Sequence, residues 1–393
     1  MMDKKLFTSK AFWQVFLGVL SAVLFLAAAF LSGYYYRDSQ NRLPDLEILQ
    51  EAYSILIHHS FQEAPEPKHL EYGMIHGMVG AYNDPYTMFQ EPYQHELTTY
   101  SLEGQFGGIG VEILKNNDGF WTLYPYPDSP AEKAGVRKKD RLFAVDTLTI
   151  TPETQSDNIQ AAIYGPAGES VGVKIGRPPE YSPILVEIIR GVYTIPSVSY
   201  RIDADEPRLG ILTINLIGSH TADEISYAIT NMMKEGVTHF ILDLRQNPGG
   251  YLSAGVDIAR LFLSEGEILV QQYRNQEAKR ESVENPGPYT DFPLAILVGK
   301  GTASAAEVVA GALQVNQRAI LVGANSYGKD TVQQVFVLSD ESSLRVTAAH
   351  WWVPGLEATF VEQGLIPNIP APAFEDLNQP DPGIQTVKGY FFP

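Results

Sequence analysis

The chain of 393 residues contains no cysteine. That excludes disulfides, a thiolate nucleophile and any cysteine-ligated metal. Basic residues are scarce: 28 lysines and arginines face 46 acidic residues, for a formal charge of −18. A nucleic-acid partner is thereby disfavoured, because phosphate binding needs a basic surface. No GxSxG elbow is present, so a histidine-assisted nucleophile of the α/β-hydrolase kind has no seat. No HExxH or other clustered ligand spacing occurs, and neither a metal nor a cofactor is implied. Internal repeats and low-complexity tracts are also missing. What remains is a 45% hydrophobic chain, enough for two or three folded domains.

The N-terminus has its own pattern. Lys4, Lys5 and Lys10 precede a run from Ala11 to Tyr36 without a charged residue. About 26 residues suffice for a tilted membrane span. Tyr34, Tyr35 and Tyr36 fit an interfacial belt, and lysines ahead of the span place the N-terminus in the cytoplasm. The competing reading is a signal peptide cleaved at Ala27-Ala28-Ala29. Because the apolar run continues past that site, a retained anchor is the expectation.

The composition predicts five stretches: an anchor over 1–38, a helical region over 39–103, a β-rich module over 104–190, an α/β core over 191–370 and a tail over 371–393. Leu46, Ile48, Leu49, Ala52, Tyr53, Leu56 and Ile57 recur at helical spacing, and a second helix is expected from His69 to Tyr82. From 104 onward, short apolar runs alternate with turn signals, and two short helices are expected among them. Gly107-Gly108-Ile109-Gly110-Val111 is a glycine-rich loop entering a strand. Such a loop can aim several N–H groups at a carboxylate, although a plain turn has the same composition. Beyond 191, apolar strands alternate with amphipathic helices, the pattern of a largely parallel sheet. Sites in such sheets lie beyond the carboxyl ends of strands, where Asn247-Pro248-Gly249-Gly250 and Gly301-Thr302-Ala303-Ser304 fall. The tail is rich in Pro, Asp and Gln and is expected to be loosely ordered.

Two segments carry reactive side chains. Ser304 stands where a small-residue loop enters a helix, and Lys329 follows the next apolar strand. A serine nucleophile with a lysine base needs only these two side chains. Ser304-Ala-Ala-Glu307 is equally a capping box, in which the glutamate reaches back to the N-cap.

In chain order, DPYTMF at Asp84–Phe89, the GGIGV loop, DLRQNPGG at Asp243–Gly250, GTASAAE at Gly301–Glu307 and SYGKDTVQQ at Ser326–Gln334 resemble the C-terminal processing peptidases, or tail-specific proteases. The resemblance runs from about Leu46 to Pro367. It implies a multidomain α+β protein in which a PDZ domain is joined to an α/β serine peptidase core. It further implies Ser304 as nucleophile, Lys329 as general base, and Gln333 as a side chain that holds the lysine. Even spacing along an extended strand would put Lys329 and Gln333 on one face. Backbone N–H groups of Gly249, Gly250 and Ala305 are the expected oxyanion donors. Gly108, Ile109, Gly110 and Val111 become the PDZ peptide-binding loop. Substrates would be proteins or peptides with free C-termini, and the catalytic part would be extracytoplasmic on a single-pass anchor. No cofactor is implied.

Departures from that family's pattern are informative. Thr302 and Ala306 stand where serine is usual, Tyr327 replaces phenylalanine, and Asn368 stands where aspartate is common. Asp330 replaces a glycine beside the lysine. A carboxylate facing the amine would raise its pKa, wrong for a base. In an extended strand Asp330 faces away, but an inward turn would leave an inactive, membrane-tethered PDZ binding protein. Gly323 to Lys329 also matches the start of a phosphate-binding loop. Asp330 then stands where a hydroxyl should ligate magnesium, and the next segment reads as a strand instead of a helix.

Overall fold

The computed structural model describes residues 17–30, 32, 46–116, 118–356, 363–374 and 379–393. The chain divides into two compact units, Met1–Gly73 and Met74–Pro393. In the first, residues 17–30 are helical. Lys4, Lys5, Lys10 and Tyr34 to Tyr36 lie outside the described residues. Among the described residues no helix is long and apolar enough to cross a membrane. Helix α1 (Glu47–His59) follows where the apolar spacing predicts it. Helix α2 (Pro67–Gly80) ends near the Asn83-Asp84-Pro85 turn, as expected.

The second unit starts within α2 and continues with a short strand that periodicity does not reveal, β1 (Met88–Gln90), and then α3 (Pro92–Leu102). The β-rich module follows. It comprises β2 (Gln105–Gly108), β3 (Val111–Lys115), β4 (Trp121–Pro125), α4 (Pro130–Lys133), β5 (Asp140–Val145), β6 (Leu148–Thr149), α5 (Ser156–Ile163), β7 (Ser170–Gly176), β8 (Pro183–Ile189) and β9 (Gly191–Thr194). Its main sheet runs β3-β4-β5-β7-β8, with β6 on β5 and β3 at an edge. Alternate residues such as Val171, Val173 and Ile175 point inward to Ile109, Leu123, Ile159 and Ile163. Ser129 caps α4 by accepting the Glu132 N–H at 3.2 Å, and Pro130 occupies the first turn.

The α/β core is built from β10 (Val198–Ile202), β11 (Leu209–Ile214), α6 (Thr221–Lys234), β12 (His239–Asp243), α7 (Leu252–Phe262), β13 (Glu267–Tyr273), β14 (Lys279–Ser282), β15 (Leu294–Val298), α8 (Ala305–Val315), β16 (Ile320–Gly323), β17 (Thr331–Val337), β18 (Ser343–Trp352), β19 (Ile369–Pro370) and α9 (Pro382–Phe391). One sheet has the order β10-β11-β12-β15-β16-β19. From β11 to β19 it is parallel, with β10 antiparallel at the edge. Its near-continuous apolar strands are covered on both faces. Leu294, Ile296 and Val298 face α6, α7 and α8, whereas Ala295 and Leu297 face Ile384 and Val387 of α9.

The structure departs from the sequence expectations in two places. The tail is not loose over 379–393: Asp381 caps α9 by accepting the N–H of Gly383 at 2.9 Å, and Ile384 and Val387 are buried. Composition hid a capped amphipathic helix. The core also holds a second, antiparallel sheet, β1-β18-β13-β14, with β17 on the other edge of β18. The strand–helix alternation did not separate it from the parallel sheet. This second sheet presents the segment after Lys329. Asn368, the departure from aspartate, accepts the Leu321 N–H at 2.8 Å and so supports β16 beside β19.

Candidate active site

Three loops are laced together by main-chain and buried side-chain bonds. Asn247 is fully buried and donates from its amide to the Ile214 carbonyl at 2.8 Å. Its own carbonyl accepts the Ala303 N–H at 3.0 Å, which ties NPGG to GTAS. Thr302 is buried too, donating its hydroxyl to the Leu244 carbonyl at 2.8 Å and accepting the Gly299 N–H at 3.0 Å. Its carbonyl takes the Tyr327 N–H at 2.9 Å, which brings in the loop of Lys329. Thr302 is thus a brace, which explains why a threonine serves at that place.

Ser304 immediately precedes α8 with φ 56° and ψ −122°. A side-chain-bearing residue rarely adopts such a left-handed conformation, and it costs on the order of 1–3 kcal/mol. The fold holds the serine there. The reach-back half of the capping box is formed: the Glu307 carboxylate accepts the Ser304 N–H at 2.8 Å, while the Glu307 N–H goes to the Ser304 carbonyl at 2.8 Å. The helix N-cap position and the expected nucleophile therefore coincide in one residue.

Glu307 does far more than cap. It is fully buried. Besides Ser304, its carboxylate accepts the Ser326 hydroxyl at 2.6 Å, the Gly328 N–H at 2.6 Å and the Lys329 N–H at 3.0 Å. One carboxylate thus clamps the start of the serine helix to the lysine loop. Burial raises its pKa above the usual carboxylate value, and the donors oppose that shift without cancelling it.

Ser304, Lys329 and Gln333 line one cavity of about 290 Å3, with Tyr86, Met88, Leu102, Gly250, Tyr251, Leu252, Thr331, Val332, Val335 and Arg345 among the other residues around it. Lys329 is half-buried, and desolvation lowers its pKa below 10.5. The Arg345 charge lowers it further, while Glu307 and Asp84 act in the opposite sense. The ammonium lies over the Tyr86 ring, 4.6 Å from its centroid. The Tyr86 hydroxyl donates to that of Tyr327 at 3.3 Å, and its pKa is pushed up to about 12, first by that bond and then by burial. Asp84 fixes this corner by accepting the Thr87 hydroxyl at 2.6 Å and the Tyr86 N–H at 3.0 Å.

Asp330 faces away from the amine. Its carboxylate pairs with His350 Nδ1 at 2.9 Å across the β17–β18 ladder. The Gln333 amide donates to the hydroxyls of Thr331 at 3.0 Å and Thr347 at 3.4 Å. The even-spacing argument for Lys329 and Gln333 does not hold, because β17 begins at Thr331 and a bulge between Val332 and Gln333 interrupts the alternation. Both residues nevertheless border the cavity. Among the expected oxyanion donors, Gly249 is corrected: its N–H is spent on the Asn247 side-chain oxygen at 2.8 Å. Gly250 lines the cavity beside Ser304. Ala305 is the first residue of α8, where a helix leaves its N–H groups unpaired.

A larger cavity of about 660 Å3 lies at the carboxyl ends of the parallel strands, bordered by Asn215, Arg245, Lys300 and Phe374 among others, but by neither Ser304 nor Lys329. Arg245 there is paired with Asp243 and, at 2.7 Å, with Asp381. The segment after Gly323 leads into β17, not into a helix, so the phosphate-loop match has no structural counterpart.

Comparison with known proteins decides the family. The profile of peptidase family S41 matches residues 208–371, and that of a PDZ domain matches 122–177. The carboxyl-terminal-processing protease of Picosynechococcus sp. is 33% identical over 318 residues, covering 80% of this chain and 76% of that protein. The chain belongs to the carboxyl-terminal-processing proteases of peptidase family S41. The corresponding protease of Synechocystis sp. is 30% identical over 361 residues, covering 88% of this chain and 84% of that protein. The solved photosystem II D1 C-terminal processing protease shares 27% identity, with a TM-score of 0.46 and coverage of 81% of this chain and 86% of that one. This carboxyl-terminal-processing protease is therefore a serine protease of multidomain α+β architecture, with a PDZ domain and an S41 peptidase domain. In the β-rich module, Gly108 to Val111 run from the end of β2 through a turn to the start of β3. Gly110 has φ 72°, and a Cβ there would sit 2.5 Å from Ser129 Cβ, so glycine is required. The Ile109 and Gly110 carbonyls accept inward bonds from Ala131 at 2.8 Å and Tyr126 at 3.0 Å. The PDZ profile begins after this loop.

Proposed function

We propose that this serine protease is a membrane-anchored, extracytoplasmic endopeptidase that cuts proteins near their C-termini, with Ser304 as nucleophile and Lys329 as general base. The observation that carries the reading is the shared cavity of Ser304 and Lys329, in which the lysine is desolvated and one buried carboxylate holds both backbones. Neutral Lys329 takes the proton of Ser304 as Oγ attacks the peptide carbonyl carbon. The N–H groups of Gly250 and Ala305 receive the developing oxyanion. When the C–N bond breaks, Lys329 returns the proton to the leaving amine. It then activates the water that releases the acyl group.

The PDZ module captures the substrate's C-terminus in this reading. An extended tail adds to the edge strand β3, and its carboxylate meets the N–H groups of the Gly108–Val111 loop. The uncharged run from Ala11 to Tyr36, preceded by lysines, is the membrane anchor. An inactive tether is the weaker reading, because it required Asp330 to face the amine, and that carboxylate is paired with His350.

Turnover of a peptide with a free apolar C-terminus tests the dyad. Ser304→Ala and Lys329→Ala should each abolish cleavage, and the double variant should be no worse than either, as expected of groups acting as a unit. Substantial cleavage by folded Ser304→Ala would overturn the assignment.

A further inference from the structure

The cavity holds a second cation that the proposed chemistry does not use. Arg345 lies on β18, opposite Met88 of β1 and Val335 of β17. It borders the same cavity as Ser304 and Lys329. Its Nε atom is buried without a hydrogen-bond partner. Among the described residues its guanidinium has no ion-pair partner either, whereas the part-buried Arg177, Arg190, Arg245 and Arg260 each have a carboxylate. A desolvated, unpaired guanidinium is costly, and burial pushes its pKa down. The neighbouring Gln90 side-chain oxygen and Ser343 hydroxyl are also buried and unpartnered, and these two residues face each other across the β1–β18 ladder.

The charge of the cavity sharpens the point. Its wall contains Lys329 and Arg345 but no aspartate or glutamate, in a chain whose net charge is −18. Apolar groups of Met88, Leu102, Leu252, Val332 and Val335 surround the two cations. An arginine fork in such surroundings matches a carboxylate in both charge and shape.

We propose that Arg345 is a specificity-determining residue that receives a carboxylate of the bound substrate inside the catalytic cavity, within about four residues of the scissile bond as strand spacing runs from Thr331 to Val335. This rests on the reading of Ser304 as the nucleophile. The carboxylate has two possible sources: the substrate's own C-terminus, or an aspartate or glutamate side chain near the cleavage point. Pairing would offset the lowering effect of Arg345 on the Lys329 pKa, so the gain is expected in KM and not in kcat.

The test is a peptide scan with the full-length protein. One apolar fluorogenic peptide is made with a free C-terminus, as its C-terminal amide, and as amides carrying one glutamate or its glutamine counterpart at each of four positions on either side of the scissile bond. The readout is the acid-to-neutral ratio of kcat/KM within each enzyme, which is independent of any general loss of activity. The parent should favour one acidic peptide by about tenfold, as a charge-assisted bond supplies. Arg345→Gln should bring that ratio to within about twofold, chiefly through KM, and Arg345→Lys should restore part of it. If the position is a glutamate, the source is a side chain; if only the free acid is favoured, it is the terminus. The PDZ loop is identical in all three enzymes, so its own preference cancels in the comparison. An acid preference unchanged in Arg345→Gln, or none in the parent, overturns the proposal. The same peptides are bound to Ser304→Ala and to Ser304→Ala/Arg345→Gln by fluorescence anisotropy. Cleavage by Ser304→Ala would strike the nucleophile assignment, whereas equal binding by the two would strike Arg345 alone.

Discussion

Replacing Glu307 by glutamine removes a charge but hardly any volume. In the parent, one carboxylate oxygen accepts the Ser326 hydroxyl and the Gly328 N–H, and the other accepts the N–H groups of Ser304 and Lys329. Whichever way a glutamine amide is turned, its NH2 group faces two donors. The Ser326 hydroxyl cannot easily reverse, because its oxygen already accepts the Leu365 N–H at 2.6 Å. Two buried donors are therefore left unsatisfied, at about 1–3 kcal/mol each, or about 2–6 kcal/mol together. That is a large share of the roughly 5–15 kcal/mol that holds a domain folded. The same donors are the backbones of the serine and the lysine. A displacement of about 1 Å between reacting groups costs on the order of 100-fold. Glu307→Gln should lower kcat by about 100-fold or more with a small change in KM, and should lower the denaturation midpoint in urea. Circular dichroism through a urea series and steady-state kinetics on one peptide read both effects. Parent-like kcat with an unchanged midpoint would refute the clamp.

Further outcomes follow from other contacts. Because burial and Arg345 depress the Lys329 pKa, the neutral base accumulates as pH rises, so kcat/KM should climb through an apparent pKa below 10.5. Asp330→Asn should leave that midpoint in place, since the carboxylate faces His350; a drop of about one unit would show that it faces the amine. Ser304→Gly should be more stable than Ser304→Ala by about 1 kcal/mol in chemical denaturation, because glycine accepts the φ of 56° without strain; equal stability would mean that the serine is unstrained. Gly249→Ala would put a Cβ 2.8 Å from the Ala303 carbonyl oxygen and 2.8 Å from Ser304 Cβ, so turnover should fall at least tenfold, and parent-like kinetics would show that the loop yields. Full-length protein should stay in the membrane fraction through an alkaline wash, and recovery of a mature chain starting at Phe30 would instead mark a cleaved signal.

What was legible in the sequence was local. The helix starting after Ser304 and the apolar strands β12, β15 and β16 follow from periodicity and small-residue loops, and their parallel packing from the alternation with helices. Ser304 and Lys329 were readable because each sits in a short motif. Glu307 was readable only as a capping partner, since its bonds to Ser326, Gly328 and Lys329 cross between elements. Tyr86 and Arg345 reach the cavity from β1's approach and from β18, and nothing in their local sequence points to a lysine elsewhere. β1 spans Met88 to Gln90, too short for any period to register. The bulge before Gln333 is invisible to an argument from even spacing. The composition of the tail obscures its helix, although Asp381-Pro382 is a helix start and Ile384 and Val387 are spaced as one helix face.

The central claim is that Ser304 forms the acyl-enzyme and Lys329 makes it possible. Incubation with a slowly deacylated peptide ester, a brief acid quench and peptide mapping by mass spectrometry test it directly. The expected result is a single acyl adduct on Ser304 in the parent and none in Lys329→Ala under the same exposure. An adduct on another residue, or equal acylation of Ser304 without Lys329, would contradict it.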